Sequence, residues 1–401
     1  DAVFEMIGAE LPVHFFRRVG IRLEGSWHLR RWLLLFAMFL GVYTLYALKK
    51  FPEQPYSWPF HLFISTEAFS SACRAIFEVA FLPFGWLFSA VAYEDILQTT
   101  WFQQGYLYSL VYTLLMIGFG WQALLRWTGI ARRPGYQKWR YLSLIGFQVA
   151  FFLIANVVAV QALSIQHSWR AWGLYAPWPL FFNTFHWWSE SDPKVLIWLF
   201  AGTGVLGFFV LIPWASHKHG KRFCTWICGC GGLAETPGDR SPKGARSRSW
   251  EFQGVAILIA AIVVTGVTIG AFQTRADNVW ASAYSYLVDF WLVAVIPIAL
   301  YPFFGGKVWC RYWCPLAAWN GLLAKWYGRL KIASDDKCIT CTLCSRHCQV
   351  GVDVMAFAKN QQAFGNDTAC IQCGICIDVC PMDVLSFTTE QVVFDPTNPS
   401  S

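Results

Sequence analysis

Two stretches near the C-terminal end, CITCTLCSRHC (Cys338–Cys348) and CIQCGICIDVC (Cys370–Cys380), decide how the chain reads. Each has the form C-x2-C-x2-C-x3-C, and every cysteine of the first recurs 32 residues later in the second. Three thiolates at this spacing reach three irons of one [4Fe–4S] cubane. The fourth points away, in two-cluster proteins toward the neighbouring cluster. The pattern assigns cluster I to Cys338, Cys341, Cys344 and Cys380, and cluster II to Cys370, Cys373, Cys376 and Cys348. Zinc sites pair two CxxC or Cys/His half-sites and do not need two four-cysteine arms. The tight arms, the duplication and Pro381 after the last cysteine favour iron and sulfide. The arms differ in two details: Gln349 follows Cys348 where a proline is usual, and two extra residues precede Asp353–Val354 relative to Asp383–Val384. Both predict altered surroundings for cluster II.

Upstream of these arms the chain is apolar. Of 401 residues 56% are hydrophobic and 14% charged, with 23 Trp and 34 Phe, against roughly 25% charged in soluble domains. Uncharged stretches long enough to cross a bilayer lie between Arg31 and Lys49, Asp95 and Arg126, Arg140 and Arg170, Lys194 and Lys218, and Glu251 and Arg275. A sixth, about Ser282–Phe304, is interrupted only by Asp289. Residues 79–93, bracketed by Glu78 and Glu94, read as an interfacial or re-entrant helix. The fold class expected is an α-helical integral membrane protein of about six spans, ending in an α+β bacterial-type 2[4Fe–4S] ferredoxin module.

Charge sets the expected orientation. The net charge of +7 comes from short loops between apolar runs, which argues for membrane topology and against nucleic acid. Arg17, Arg18, Arg22 and Arg30, then Arg132, Arg133 and Lys138, Lys218 to Arg248, and Lys307, Arg311 and Lys325 fall on one face, so both termini are expected in the cytoplasm. The expected organisation is a cytoplasmic segment 1–30 and a membrane domain 31–304 with a cytoplasmic CxxxC loop at 215–250. A juxtamembrane motif and interfacial helix follow at 305–335, then the ferredoxin domain at 336–395. Gly231–Ser249 has linker composition and reads as a flexible loop.

Eight of the 14 cysteines belong to the arms, and so many free thiols imply a reducing compartment. Cys224-x3-Cys228 follows the fourth span and Cys310-x3-Cys314-Pro315 the sixth. Lys221, Arg222, Lys307 and Arg311 flank the pairs and favour thiolate. These four could hold a third metal centre or act as a redox pair, with Cys230 offering a fifth sulfur; simple packing at helix ends is the plainer alternative. Cys73 reads as packing only. Asp289 is the one carboxylate well inside a span, a candidate proton acceptor in quinol oxidation or a hydrogen-bonded packing residue. No histidine falls mid-span, since His61, His167, His186, His217 and His219 lie toward span ends, and no CxxCH occurs, so haem is not expected. The tryptophans of Ser168–Trp188 read as an interfacial belt.

The spans, the CxxxC(P) motifs and the terminal dicluster arms together resemble the NapH/NosR/CcoG family of membrane polyferredoxins, over roughly Val195–Phe387. CRYWCPLAAW (Cys310–Trp319) matches the family motif closely, whereas FCTWICGCGGLAET (Phe223–Thr236) has Gly229-Cys230 where a proline is usual. Members include a quinol dehydrogenase membrane component, a nitrous oxide reductase electron donor and a copper-handling oxidase assembly protein. The resemblance implies a multi-pass protein of the bacterial inner membrane, working with lipid, quinone and membrane redox partners in a larger complex of the respiratory chain. The leading expectation is electron transfer between the quinone pool, or a membrane partner, and the cytoplasmic clusters. The runner-up is a factor that reduces or delivers copper to a membrane oxidase, and a third is a redox sensor.

Overall fold

The computed structural model describes residues 28–50, 55–81, 100–131, 134–159, 178–179, 206–240, 248–270, 279–305 and 307–389. Outside them lie Arg17, Arg18 and Arg22, residues 82–93 of the bracketed run, most of the Ser168–Trp188 segment, and the first part of the Lys194–Lys218 stretch.

The described chain is mostly helical. In order come α1 (Leu29–Lys49), α2 (Thr66–Phe81), α3 (Thr100–Ile130) and α4 (Pro134–Gln148, prolonged as a π-helix over Val149–Ala159). Next are α5 (Ile212–His219), α6 (Phe223–Trp226), α7 (Gly229–Glu235) and α8 (Phe252–Gly270). Then α9 (Val279–Tyr284) runs through a π-helical stretch (Ser285–Val295) into α10 (Ile296–Phe304), followed by α11 (Val308–Tyr312) and α12 (Pro315–Tyr327). Among the described residues three helices are long and apolar enough to cross a membrane: Leu29–Lys49, Leu110–Ile130 and Ser282–Phe304. Phe252–Val267 is a shorter apolar helix. Six spans were expected, so three of them stand at this level.

Apolar side chains cover the outside of these helices as well as their contacts. Trp32, Leu33, Phe36 and Leu40 of α1 are exposed, as suits a surface meeting lipid tails. The 282–304 helix lies antiparallel to α1. The Arg31 guanidinium donates to the Phe303 carbonyl at 3.2 Å, while farther along Tyr43 stacks on Trp291 at 5.3 Å. α3 and α4 form a second antiparallel pair, with Pro134 at the first turn of α4, where its missing N–H costs nothing. Trp127, Tyr141 and Leu144 are fully buried between them.

The stretch read as a flexible loop is partly structured. Gly231–Arg240 forms the end of α7 and a 3-10 turn that lie along α3. Tyr112 donates to the Gly229 carbonyl at 3.2 Å, Thr236 to the Met116 sulfur at 3.2 Å, and the Trp127 indole to Asp239 at 2.7 Å. Fifteen helical residues separate Tyr112 from Trp127, about 22 Å at a rise of 1.5 Å each. α7 therefore folds back beside an apolar candidate span. Its small residues permit this: a Cβ on Gly232 would fall 2.6 Å from the Met116 methyl carbon of α3.

The C-terminal unit is closed by an antiparallel pair, β1 (Lys331–Ser334) and β2 (Leu385–Thr388), in register Lys331↔Thr388 to Ser334↔Leu385. Between them lie three short helices: α13 (Leu343–Arg346), α14 (Val354–Lys359) and α15 (Ile375–Asp378). The 32-residue repeat is carried by the backbone. Thr340, Thr342 and Gly351 have positive φ, and so do Gln372, Gly374 and Asp383, each 32 residues on. A non-glycine residue in that region is unusual and marks a backbone held by its surroundings.

Candidate iron–sulfur centres

Each arm makes a tight turn that delivers three cysteines, then a one-turn helix that carries the fourth away. The turn enters α13 through Thr342 and α15 through Gly374, both left-handed. Cys338, Cys341, Cys344 and Cys380 line one small cavity, open at its mouth, with Thr342, Met355 and Pro381 among its other walls. Three of these cysteines come from the first arm and one from the second. Cys341 is exposed and Cys338 half-buried, beside exposed Ile339 and Met382. Cys348, Cys370, Cys373 and Cys376 are all buried, and Cys376 feels the charge of the other three. The cavity thus sets Cys380 of the second arm beside three cysteines of the first.

Burial keeps these cysteines as thiols until a cation binds. Burial pushes the Cys344 thiol up to about 11, and the neighbouring Cys341 and Cys380 add to this. Burial likewise takes Cys370 to about 12, with Cys348 and Cys373 adding, and Cys373 to about 11 against the pull of Arg140. Such thiols ionise when a cation binds them. Backbone N–H groups already point at the sulfurs: Val352 donates to Cys348 at 3.3 Å and Gln372 to Cys370 at 3.4 Å. Eight cysteines, apolar walls and amide donors fit two cubanes. Among the described residues no three His, Cys, Asp or Glu side chains approach closely enough for a single metal ion.

The second cysteine group converges as well. Cys224, Cys310 and Cys314 are buried, while Cys228 and Cys230 are half-buried. Cys224 lies within electrostatic reach of Cys228 and Cys310, and Cys230 within reach of Cys228, Cys310 and Cys314. Cys314 caps α12, its sulfur accepting from the Ala317 N–H at 3.4 Å. Met116 of the Leu110–Ile130 span meets α7 at Gly232, so this pocket lies beside spanning helices. Asp289 sits half-buried in the π-helical part of its helix. His217 faces the Tyr327 carbonyl. The side chain of Cys73 lies outside the described residues.

Cluster II's cysteines face the helical domain through polar contacts that sequence reading missed. Gln137 donates to the Cys373 carbonyl at 3.1 Å and to Asp378 at 2.6 Å. Arg311 donates to the carbonyls of Val350 and Gly351 at 2.9 and 2.6 Å and pairs with Glu251 at 2.8 Å. Lys221 donates to the Thr368 carbonyl and lies between Cys370 and Cys224. Glu235 sits between Arg140 and Lys307, all three fully buried. In sequence Arg140 reads only as the charged edge of the stretch between Arg140 and Arg170.

Membrane-length apolar helices joined to a two-cluster ferredoxin-type unit define a membrane-associated iron–sulfur protein of the electron-transfer kind. The family described as a 4Fe-4S dicluster domain matches residues 332–387. The chain is 24% identical over 196 residues to the ferredoxin-type protein NapH of Haemophilus influenzae, covering 46% of this chain and 68% of that one. Against NapH of Escherichia coli identity is 27% over 185 residues, 43% of this chain and 63% of that protein. Against the regulatory protein NosR of Pseudomonas aeruginosa it is 23% over 318 residues, 71% of this chain and 39% of that protein. The chain thus spans about two thirds or less of these relatives. No solved structure matches. The chain is thus similar to the ferredoxin-type protein NapH and to NosR.

Proposed function

We propose that this chain carries electrons between a membrane-side donor or acceptor and a redox partner that meets the ferredoxin unit at its exposed end. The observation that supports this reading is the arrangement of the two cysteine sets. One opens to the surface at Cys341, whereas the other is buried against the helical domain and its second cysteine pocket. Cys338, Cys341, Cys344 and Cys380 hold cluster I, and Cys370, Cys373, Cys376 and Cys348 hold cluster II. A bound cubane supplies reversible one-electron chemistry, and the protein sets its potential through charge, hydrogen bonds and burial. The chain's own residues keep the sulfurs of Cys348, Cys370, Cys373 and Cys376 apart from water, aim Val352 and Gln372 amides at Cys348 and Cys370, and seat this set against Gln137 and Arg311.

In this reading six spans place both termini in the cytoplasm of a bacterial inner membrane, and the membrane-side partner is the quinone pool or a subunit connected to it. Cys224, Cys228, Cys310 and Cys314, with Cys230, form a third centre between the two sides. Asp289 accepts a proton from quinol. The test is reduction of the purified, anaerobically isolated protein by a quinol analogue. Bleaching of the iron–sulfur absorbance is expected, slowed in Asp289→Asn while dithionite reduction stays unchanged. Clusters that dithionite reduces and the quinol analogue leaves oxidised would contradict the quinone link.

A copper-handling role is the second reading, favoured by five soft sulfur donors within electrostatic reach of one another. It predicts stoichiometric copper(I) binding that is lost in the Cys310→Ala, Cys314→Ala double variant, with no effect of quinol.

A further inference from the structure

Three charges are buried together where the helical domain meets the ferredoxin unit. The Glu235 carboxylate is paired on one side with the Arg140 guanidinium and on the other, at 2.8 Å, with the Lys307 ammonium. The three side chains are at most 1% exposed. A buried triad of this kind is weak as a source of stability, because desolvation of each ion offsets most of the attraction. Its geometry has another consequence, since each cation leads to a different cysteine group.

Arg140 leads to the ferredoxin unit. Its Nε donates to the Gln137 side-chain oxygen at 2.8 Å, and Gln137 in turn donates to the Cys373 carbonyl at 3.1 Å and to Asp378 at 2.6 Å. Among charged neighbours Arg140 acts most on Cys373, ahead of Glu235 and Cys348. Lys307 leads the other way. Its Nζ donates to the carbonyls of Cys224 and Gly231, each at 3.3 Å, and its charge reaches Cys310 and Cys224. In the more exposed set, Cys344 is governed by burial, Ser345 and its fellow cysteines, with no cation among its main neighbours.

We propose that Glu235 is a shared counter-ion, a positioning residue that, through Arg140 and Lys307, sets the electrostatic field at cluster II and at the five-cysteine pocket together. A reduced cluster carries one more negative charge, so an added positive field makes reduction easier and a lost one makes it harder. Neutralising Glu235 leaves Arg140 uncompensated beside Cys373. Neutralising Arg140 leaves Glu235 facing the same cysteine set. The two changes shift cluster II in opposite directions, which general loosening of the interface cannot do.

This inference rests on the assignment of cluster II to Cys348, Cys370, Cys373 and Cys376. The experiment is a redox titration of the purified full chain, followed by low-temperature EPR, on wild type, Glu235→Gln, Arg140→Gln and Arg140→Lys. In Glu235→Gln the cluster II midpoint is expected to rise by about tenfold in the reduction equilibrium, 59 mV for one electron. In Arg140→Gln it falls by a similar factor, and in Arg140→Lys it stays near wild type. Cluster I is unmoved throughout. A cluster II midpoint equal in all four proteins, or shifted the same way in Glu235→Gln and Arg140→Gln, overturns the proposal. Should Glu235→Gln fail to assemble, the Arg140 pair decides alone: equal potentials in Arg140→Gln and Arg140→Lys overturn it, and a lower value in Arg140→Gln supports it. Wild-type protein without two EPR-active clusters would instead overturn the cluster assignment itself.

Discussion

The molecule gathers cysteines twice, by opposite means. In the ferredoxin unit, eight are delivered by two copies of one short turn, and left-handed residues at Thr340, Thr342 and Gly351 recur at Gln372, Gly374 and Asp383. Local chain geometry does the work there. In the helical domain, five cysteines meet because α6, α7, α11 and the start of α12 converge from parts of the chain more than 70 residues apart, at Cys224–Cys230 and Cys310–Cys314. Tertiary packing does the work there. A site written into one stretch survives damage to its neighbours, whereas a site assembled from distant segments depends on each contact that holds them in place.

The largest expected effect tests the exchange between arms. Cys380→Ala removes a second-arm residue, yet it should abolish cluster I and spare cluster II. Iron analysis should find about four irons instead of eight, with one EPR signal gone. Loss of cluster II instead would mean that each arm keeps its own fourth cysteine.

Next comes the assembled pocket. In Gly231→Ala the new Cβ falls 2.0 Å from the Cys224 carbonyl oxygen, so α7 must shift. Overpacking of this kind costs about 1–3 kcal/mol. A lower melting temperature and faster labelling of the pocket thiols are expected while the iron count stays constant. Unchanged labelling would show that the close approach is dispensable.

The seam between the two regions is held by a few charge-assisted bonds. Arg311→Met removes the bonds to the Val350 and Gly351 carbonyls and the pair with Glu251, each charge-assisted bond being worth roughly 1.5–3 kcal/mol. Limited proteolysis should release the C-terminal unit faster, with its irons still bound. Release at the wild-type rate would show that other contacts hold the seam.

The smallest effect is at Arg126→Gln. Arg126 pairs with Asp239 at 2.8 Å, but its side chain is 41% exposed, and such pairs contribute about 0–1 kcal/mol. Asp239 keeps its bond from the Trp127 indole at 2.7 Å, so the melting temperature should hardly move. A large drop would mean that the folded-back segment depends on this ion pair.

The same contrast explains what the sequence disclosed. The two four-cysteine arms were legible because ligand spacing is a local property and the arms repeat it. The apolar runs at Leu29–Lys49 and Ser282–Phe304 were legible because a bilayer demands length and lack of charge. Glu235 was not. It sits in GGLAETPGDR, whose glycines, proline and charges compose like a linker, and its partner Arg140 lies 95 residues away. Gln137 and Asp378 are 241 residues apart. No periodicity marks such pairs, since they exist only once distant segments have packed together. Cys230 was legible as a fifth sulfur, but the turn that carries its segment back along α3 was not.

Iron and acid-labile sulfide, counted in the intact protein purified without oxygen, probe the cubane assignment more directly than any variant. Eight of each per chain, with two EPR signals on reduction, is the expected result, and about twelve would add a third cubane in the helical pocket. A colourless preparation free of iron would contradict it.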